Sequence, residues 1–328
     1  MPPTTHGTTR RSTLAMLLAL ACSTATAQGT STARALRLVV PFPPGGLNDS
    51  VGRLLADAMQ PALGQPVVVD NRSGASGLIG TQAVASAVPD GSTLLVTSTS
   101  NHVLAPLMQG GDKDPAADLV PVGLALRTVG VLVVSADVPA RSLADLVALA
   151  RSKPRALNYG SSGQGSANHL QTHQFATLAG IELVHVPYRG GGPLVSALIS
   201  GEVQFALLDF ASVASALSSG RLRALAQSGA KRHVGLPTVP TLTEAGFAGL
   251  DTSFWIGLAA PHGTPPAAVA RWNAALNSAL AQTAIKARAQ ALGWSLVGGA
   301  PEVLTRTVAQ DREAFTTAAA SLRIEPPK

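Results

Sequence analysis

Two segments carry small residues in a pattern suited to holding an anion. They are Pro43-Pro44-Gly45-Gly46-Leu47-Asn48-Asp49 and Tyr159-Gly160-Ser161-Ser162-Gly163-Gln164-Gly165-Ser166-Ala167-Asn168-His169. Glycine lets a backbone approach a ligand closely, and free N–H groups at a helix start favour negative charge. One such turn is ordinary in any parallel sheet. Two, one in each half of a chain, make a clamp for a single anion. Asp49 and Ser166 each have two readings, ligand contact or helix cap. Asp209 follows the apolar run 203–208. Were that strand end to face a ligand, the acid would repel a second carboxylate and welcome an ammonium group or a protonated or hydrated one. Its alternative role is to cap a helix beginning near Ser212.

Other chemistries lack their residues. His169 and His173 have the i, i+4 spacing of helical metal ligands, but no third ligand is recognisable. No serine sits in a G-x-S-x-G elbow. Neither G-x-G-x-x-G nor G-x-x-x-x-G-K occurs, which removes the usual dinucleotide and ATP signatures. No catalytic residue, metal or cofactor is therefore assigned. Trp255, Trp272 and Trp294 read as core or hinge packing.

The elements that must position these turns alternate. Residues 38–40, 67–69 and 94–96 read as short buried strands. Asn48-Asp49 caps a helix carrying Val51, Leu54, Leu55, Ala58 and Met59 on one face, and a second helix covers 77–88. After a connecting segment at 120–128 the pattern restarts. Strands are expected at 131–134, 157–159, 183–186, 203–208 and 222–226, with helices at 142–150, 166–178, 193–199 and 212–217. A Pro- and Gly-rich linkage over 228–249 leads to a strand at 254–258 and helices at 266–282, 283–292 and 302–320. Short apolar strands separated by helices predict βαβ units and parallel sheets. The fold class expected is α/β, two Rossmann-like lobes with a ligand cleft between them. Lobe one takes residues 28–126 and 252–328, and lobe two takes 127–251. The two crossings form a hinge, and ligands of such sheets sit at the carboxyl ends of the strands.

Composition agrees with a packed, exported α/β chain. Of 328 residues, 46% are hydrophobic and only 13% charged, with 32 Gly and 23 Pro. The net charge of +6 is spread over scattered Lys and Arg, without a basic helix or an aromatic stacking surface, so nucleic acid is not an expected partner. A mildly cationic body suits an anionic ligand. At the N-terminus, Arg10-Arg11 precede an apolar run at 14–21, and Ala25-Thr26-Ala27 precede Gln28. That is the layout of a cleavable signal peptide over residues 1–27. The apolar run is too short to span a bilayer, which takes about 20 residues. Cys22 is the sole cysteine and leaves with this leader, so the exported chain has no disulfide and no thiol nucleophile.

In order along the chain stand Leu38-Val39-Val40-Pro41-Phe42-Pro43-Pro44-Gly45-Gly46 with Asp49, then Gly64-Gln65-Pro66-Val67-Val68-Val69 with Asn71-Arg72. Pro89-Asp90-Gly91, Leu157-Asn158-Tyr159-Gly160-Ser161 leading to His169-Leu170, and Val184-His185-Val186-Pro187-Tyr188 follow. Gly220-Arg221-Leu222-Arg223-Ala224-Leu225-Ala226 and Pro237-Thr238-Val239-Pro240-Thr241 with Glu244-Ala245-Gly246 complete the series. This series resembles the tripartite tricarboxylate transporter substrate-binding proteins, the Bug family, over essentially the whole exported chain. The resemblance implies a periplasmic solute-binding protein, a monomer and not an enzyme, that captures a small organic carboxylate for membrane permease subunits. An exported enzyme or a ligand sensor using the same cleft are the alternatives. It implies ligand contacts from Phe42, Pro44, Gly45, Gly46, Asn48, Asp49, Ser98, Ser162, Gly163, Ser166 and Asp209, held through backbone amides, hydroxyls and waters. The sequence departs from that family at Leu47 and Asn48, where hydroxyl side chains are usual.

Overall fold

The computed structural model describes residues 35–109, 114–250 and 253–322, together with Met1. The leader with Cys22, and the second crossing at residues 251 and 252, lie outside the described residues. Two mixed sheets organise the rest. Sheet one has the order β11-β4-β10-β3-β1-β2, and sheet two β7-β6-β8-β5-β9.

In sheet one, β1 (Leu36–Val40) pairs in parallel with β2 (Val67–Asn71) and β3 (Thr93–Ser98). Helix α1 (Leu47–Leu63) and helix α2 (Leu78–Ala85) make the crossovers. A π-helical turn at Thr99–Leu104 and helix α3 (Ala105–Gln109) follow β3. Gly52 of α1 sits where a Cβ would meet Val40 Cγ2 at 2.8 Å, so this helix lies close on its strand. Leu38, Val40, Leu55, Met59, Leu94 and Trp272 join one core.

Residues 120–128, expected as a connecting segment, form the nine-residue strand β4 (Val120–Thr128). Pro121 and Gly123 look like breakers in sequence. Pro121 lies at the strand start, and a Cβ on Gly123 would meet Leu276 Cδ2 at 2.8 Å. Close packing, not a turn, explains that glycine. One residue, Val129, then separates β4 from β5 (Gly130–Ser135) in sheet two. The chain returns through β10 (Phe254–Ala260), antiparallel to both β4 and β3. Entering and leaving the second half in opposite directions makes these strands antiparallel neighbours, so the sheets are mixed and not purely parallel as expected.

Sheet two continues with helix α4 (Leu143–Ser152), β6 (Asn158–Ser161), helix α5 (Ala167–Ala179) and β7 (Val184–Pro187). Helix α6 (Gly191–Ser200), β8 (Phe205–Asp209), helix α7 (Phe210–Ser218) and β9 (Leu222–Gln227) follow. Strands β6, β7 and β8 are parallel, while β5 runs antiparallel to β8 and β9. Alternate residues of β5 feed opposite faces. Leu132 and Val134 pack with Phe175 and Phe205, and Val131 and Val133 pack with Leu194 and Val213. Helices α8 (Pro266–Ala281) and α9 (Thr283–Leu292), a short strand β11 (Trp294–Leu296) that the periodicity did not show, and helix α10 (Glu302–Leu322) close the chain on sheet one. Among the described residues no helix is long and apolar enough to cross a membrane.

Candidate functional site

The glycine turn after β1 ends at Gly46, which is the N-cap of α1. The cap therefore falls two residues before Asn48-Asp49. Asp49 stands in the first helical turn, and its carboxylate reaches back to accept Gly45 N–H at 3.0 Å. Arg53 Nε (3.1 Å) and Asn71 Nδ2 (2.9 Å) donate to the same carboxylate. Burial pushes the Asp49 carboxyl up, but these donors outweigh it and hold the group below its usual range. Asp49 thus fixes the turn from behind. Gly45 has φ +92°, a conformation that suits glycine.

The second turn is tied from within. Asn168 Oδ1 accepts from Ser162 N (3.1 Å) and Ser162 Oγ (3.0 Å), and lies 2.7 Å from Ser166 Oγ. Ser166 begins α5 as its N-cap residue, but its hydroxyl points to Gly163 O and Asn168 instead of bonding the helix N–H groups. Beneath the turn, His169 and His185 stack with ring centroids 4.0 Å apart. Gly165 N donates to His169 Nδ1 at 3.1 Å, and Ser161 Oγ lies 2.6 Å from His185 Nε2. Burial lowers His169 to about 3 and His185 to about 4, so both rings are neutral at pH 7 and the turn keeps its acceptors. His173, one helical turn from His169, meets no metal-sized cluster: among the described residues no three His, Cys, Asp or Glu side chains converge.

Across the gap the two halves touch. Ser76 Oγ donates to Gln164 O, and Ala167 N donates to Ser100 Oγ at 3.0 Å. A Cβ on Gly46 would lie 3.6 Å from Gly191 N, and one on Gly190 would lie 2.8 Å from Pro43 Cδ. Between the halves lies a pocket of about 60 Å³. Its lining includes Phe42, Gly46, Leu47, Asn48, Ser162 and Asp209. Ser100, Asn168 and Gly191 also reach it.

Four helices start at this pocket: α1 with Gly46 and Leu47, α5 with Asn168, α6 with Gly191, and α7 with Asp209. Each N-terminus carries about half a positive charge, so their convergence favours an anion although no Lys or Arg lines the pocket. Asn48 Oδ1 is buried without a hydrogen-bond partner, an acceptor suited to a ligand or water donor. Asp209 is spent differently. Its Oδ1 accepts Ser212 N at 3.0 Å and its Oδ2 accepts Ser212 Oγ at 2.6 Å, the geometry of a cap on α7. Burial pushes its carboxyl above the usual range, partly offset by Ser212.

A larger pocket of about 560 Å³ shares Phe42 and Ser162 with the smaller one. Gly163 lines it, along with Ser73 to Gly77, Met108, Tyr188 and Arg189. Of the residues expected at the site, Phe42, Gly46, Asn48, Ser162 and Asp209 thus meet at the smaller pocket, and Gly163 lines the larger. Pro44, Gly45, Asp49, Ser98 and Ser166 line neither pocket; Pro44 and Gly45 are exposed, whereas Asp49, Ser98 and Ser166 are buried. Ser98 Oγ donates to Asn101 Oδ1 at 2.7 Å, and its neighbour Ser100 reaches the pocket instead. The sequence reading missed Ser100 and Gly191, and it placed Asn168 in the second turn without assigning it a ligand contact. Gly191 had a signal, the run Gly190-Gly191-Gly192, but the helix was expected to begin at Pro193. Ser100 had none, because a π-helical turn carries no recognisable periodicity.

Comparison with known proteins matches residues 51–313 to the family described as tripartite tricarboxylate transporter family receptor. A Pseudomonas sp. (strain P51) protein from the tcbD-tcbE intergenic region is 41% identical over 291 residues, spanning 85% of this chain and 87% of that protein. A Rhodopseudomonas palustris protein solved with adipate is 35% identical with a TM-score of 0.86, spanning 89% of this chain and 98% of that one. MatC of the same organism, solved with bound malate, is 32% identical with a TM-score of 0.83, spanning 87% and 98%.

Proposed function

This chain belongs to the tripartite tricarboxylate transporter receptor family, whose members are periplasmic solute-binding proteins, and from that premise we propose that it captures a small organic carboxylate and delivers it to membrane permease subunits. The single observation that carries the reading is the pocket between the halves, where four helix N-termini meet without a cation. That arrangement binds a carboxylate through backbone N–H groups and releases it when the halves part, because each half supplies only part of the shell. Relatives solved with adipate and with malate support the ligand class. The hinge of this reading is Val129 and the crossing at 251–252, with residues 28–126 and 252–328 as one lobe and 127–251 as the other. Phe42, Gly46, Asn48, Ser162, Gly163 and Asp209 are the proposed contacts, and Pro44, Gly45, Asp49, Ser98 and Ser166 their support. The cleft binds without turnover, and residues 1–27 are removed on export.

One experiment joins these points. The full chain is expressed with its leader, recovered from the periplasm, weighed intact and screened by thermal shift against organic acids. The expected mass begins at Gln28, and at least one carboxylate at 100 times its Kd adds about 2.7 kcal/mol of stability. That carboxylate is recovered unchanged after incubation. Retention of residues 1–27, consumption of the acid, or no response to any carboxylate overturns the corresponding part.

A further inference from the structure

Another pocket, of about 140 Å³, shares three elements with the carboxylate pocket but none of its lining residues. Thr99 lines it and Ser100 lines the other, within one π-helical turn. Trp255 and Phe254 divide in the same way on β10, where successive side chains face opposite sides. Gln171 lies one turn of α5 beyond Asn168. The pockets therefore stand back to back across these elements. The walls of the second come from both halves: Gln171 on α5, and Arg127, Trp255, Asp311 and Phe315 on β4, β10 and α10. Its charged groups are anchored. Asp311 Oδ2 accepts from Trp255 Nε1 at 2.6 Å and Thr99 Oγ1 at 3.4 Å, and Arg127 Nη2 donates to Thr307 Oγ1 at 3.2 Å. Gln171 differs. Its side chain is 1% exposed, and its Nε2 donates to Ser253 O at 3.2 Å, which fixes the orientation of the amide. Its Oε1 is buried without a hydrogen-bond partner. A buried acceptor left unpaired is costly, so this wall calls for a donor.

We propose that this pocket is a second ligand site, which takes an uncharged ring of benzene size bearing one hydrogen-bond donor. The volume is close to that of the cavity of about 150 Å³ known to hold benzene. Trp255 and Phe315 supply aromatic walls for the ring. One arginine and one aspartate line the pocket, so neither sign of charge is favoured. The donor pairs with Gln171 Oε1. Resting on the two-lobed reading above, the site also acts on closure. A molecule held between α5 and α10 while Ala167 N–H meets Ser100 Oγ stabilises the arrangement in which the halves touch.

The probes are phenol and fluorobenzene, similar in size, of which only phenol carries a donor. Titration of the exported protein followed by NMR is expected to show phenol binding at least fivefold tighter. Gln171→Met, which removes the acceptor, is expected to bring the two probes to within about twofold. Ala314 lines the pocket from an exposed position of α10, and Ala314→Trp is expected to weaken both at least tenfold with an unchanged circular dichroism spectrum. Small-angle scattering without any carboxylate is expected to show a smaller radius of gyration at saturating phenol, and no change in Ala314→Trp. No binding of phenol, or equal binding of the two probes, overturns the site and leaves water as the partner of Gln171. Undiminished binding in Ala314→Trp places the probe elsewhere and overturns it too. Phenol bound without compaction overturns the action on closure alone. None of these results bears on the carboxylate reading, whose pocket has no lining residue in common with this one.

Discussion

At the scale of single residues, the site works through what its glycines leave uncovered. Gly46 ends the first turn, and its missing side chain faces Gly191 N, Gly191 Cα and Gly192 N at 3.6–3.8 Å across the gap. A methyl group would make ordinary contact there. The branched side chain of Gly46→Val would overlap the start of α6, covering N–H groups that face the anion and holding the halves apart. Carboxylate affinity is expected to fall by more than tenfold, which is about 1.4 kcal/mol. Calorimetry on a variant with an unchanged circular dichroism spectrum checks this, and undiminished affinity would move the site away from Gly46. Asp209 shows how one residue type serves two purposes. Its oxygens cap α7 through Ser212, while its raised pKa makes it the wall group most ready to lose its charge beside an anion.

At the scale of elements, precision comes from strands that accept helices very closely. Gly160 lies in β6 just before the second turn. A Cβ there would come 2.2 Å from Leu194 Cδ1, which is fully buried in α6, and 3.2 Å from Val203 Cγ2. Leu194, Val203 and Tyr188 all lie within 3.3 Å of that position, so Gly160→Ala is expected to destabilise the protein by about 1–3 kcal/mol through overpacking. Urea unfolding measures it, and a midpoint within error of the unmodified protein would refute the close packing. The cost should reach the ligand as well, because α6 begins at Gly191 and β6 leads directly into Ser162, and both residues line the same pocket. Strand β4 makes the same point. Its Gly123 lets α8 sit down on sheet one, and its far end at Thr128 delivers the chain to the second sheet one residue later.

At the scale of the whole molecule, buried histidines link stability to pH. His102 in the first half is lowered to about 4 by burial, as are His185 to about 4 and His169 to about 3 in the second. The unfolded chain protonates these rings near pH 6.5, whereas the folded chain does not until pH 3–4. The unfolded state therefore binds more protons between those limits. The stabilisation is complete above pH 6.5 and is lost progressively as pH falls toward 4. The melting temperature is expected to drop steadily from pH 7 to pH 4.5, with the second turn loosening early because His169 and His185 hold it. Scanning calorimetry across that range decides the point, and a flat profile would contradict the buried, neutral rings.

What the sequence determined by itself is what short-range pattern carries. Apolar runs such as 38–40 and 131–134 gave strands, helical spacing from Val51 to Met59 gave α1, and the series of family motifs gave the family. The two glycine turns were legible because close backbone approach demands a residue without a Cβ, and that demand is written in the residue type. Tertiary structure alone decided the rest. Strand direction depends on where the chain re-enters a sheet, so β4 and β10 turned out antiparallel and residues 120–128 a central strand. Asp49 went behind the turn because Arg53 and Asn71, four and 22 residues away, converge on its carboxylate. Ser100, Asn168 and Gly191 became pocket walls only because four helix starts meet at one point. Such convergence is a property of how elements pack, and no local spacing encodes it.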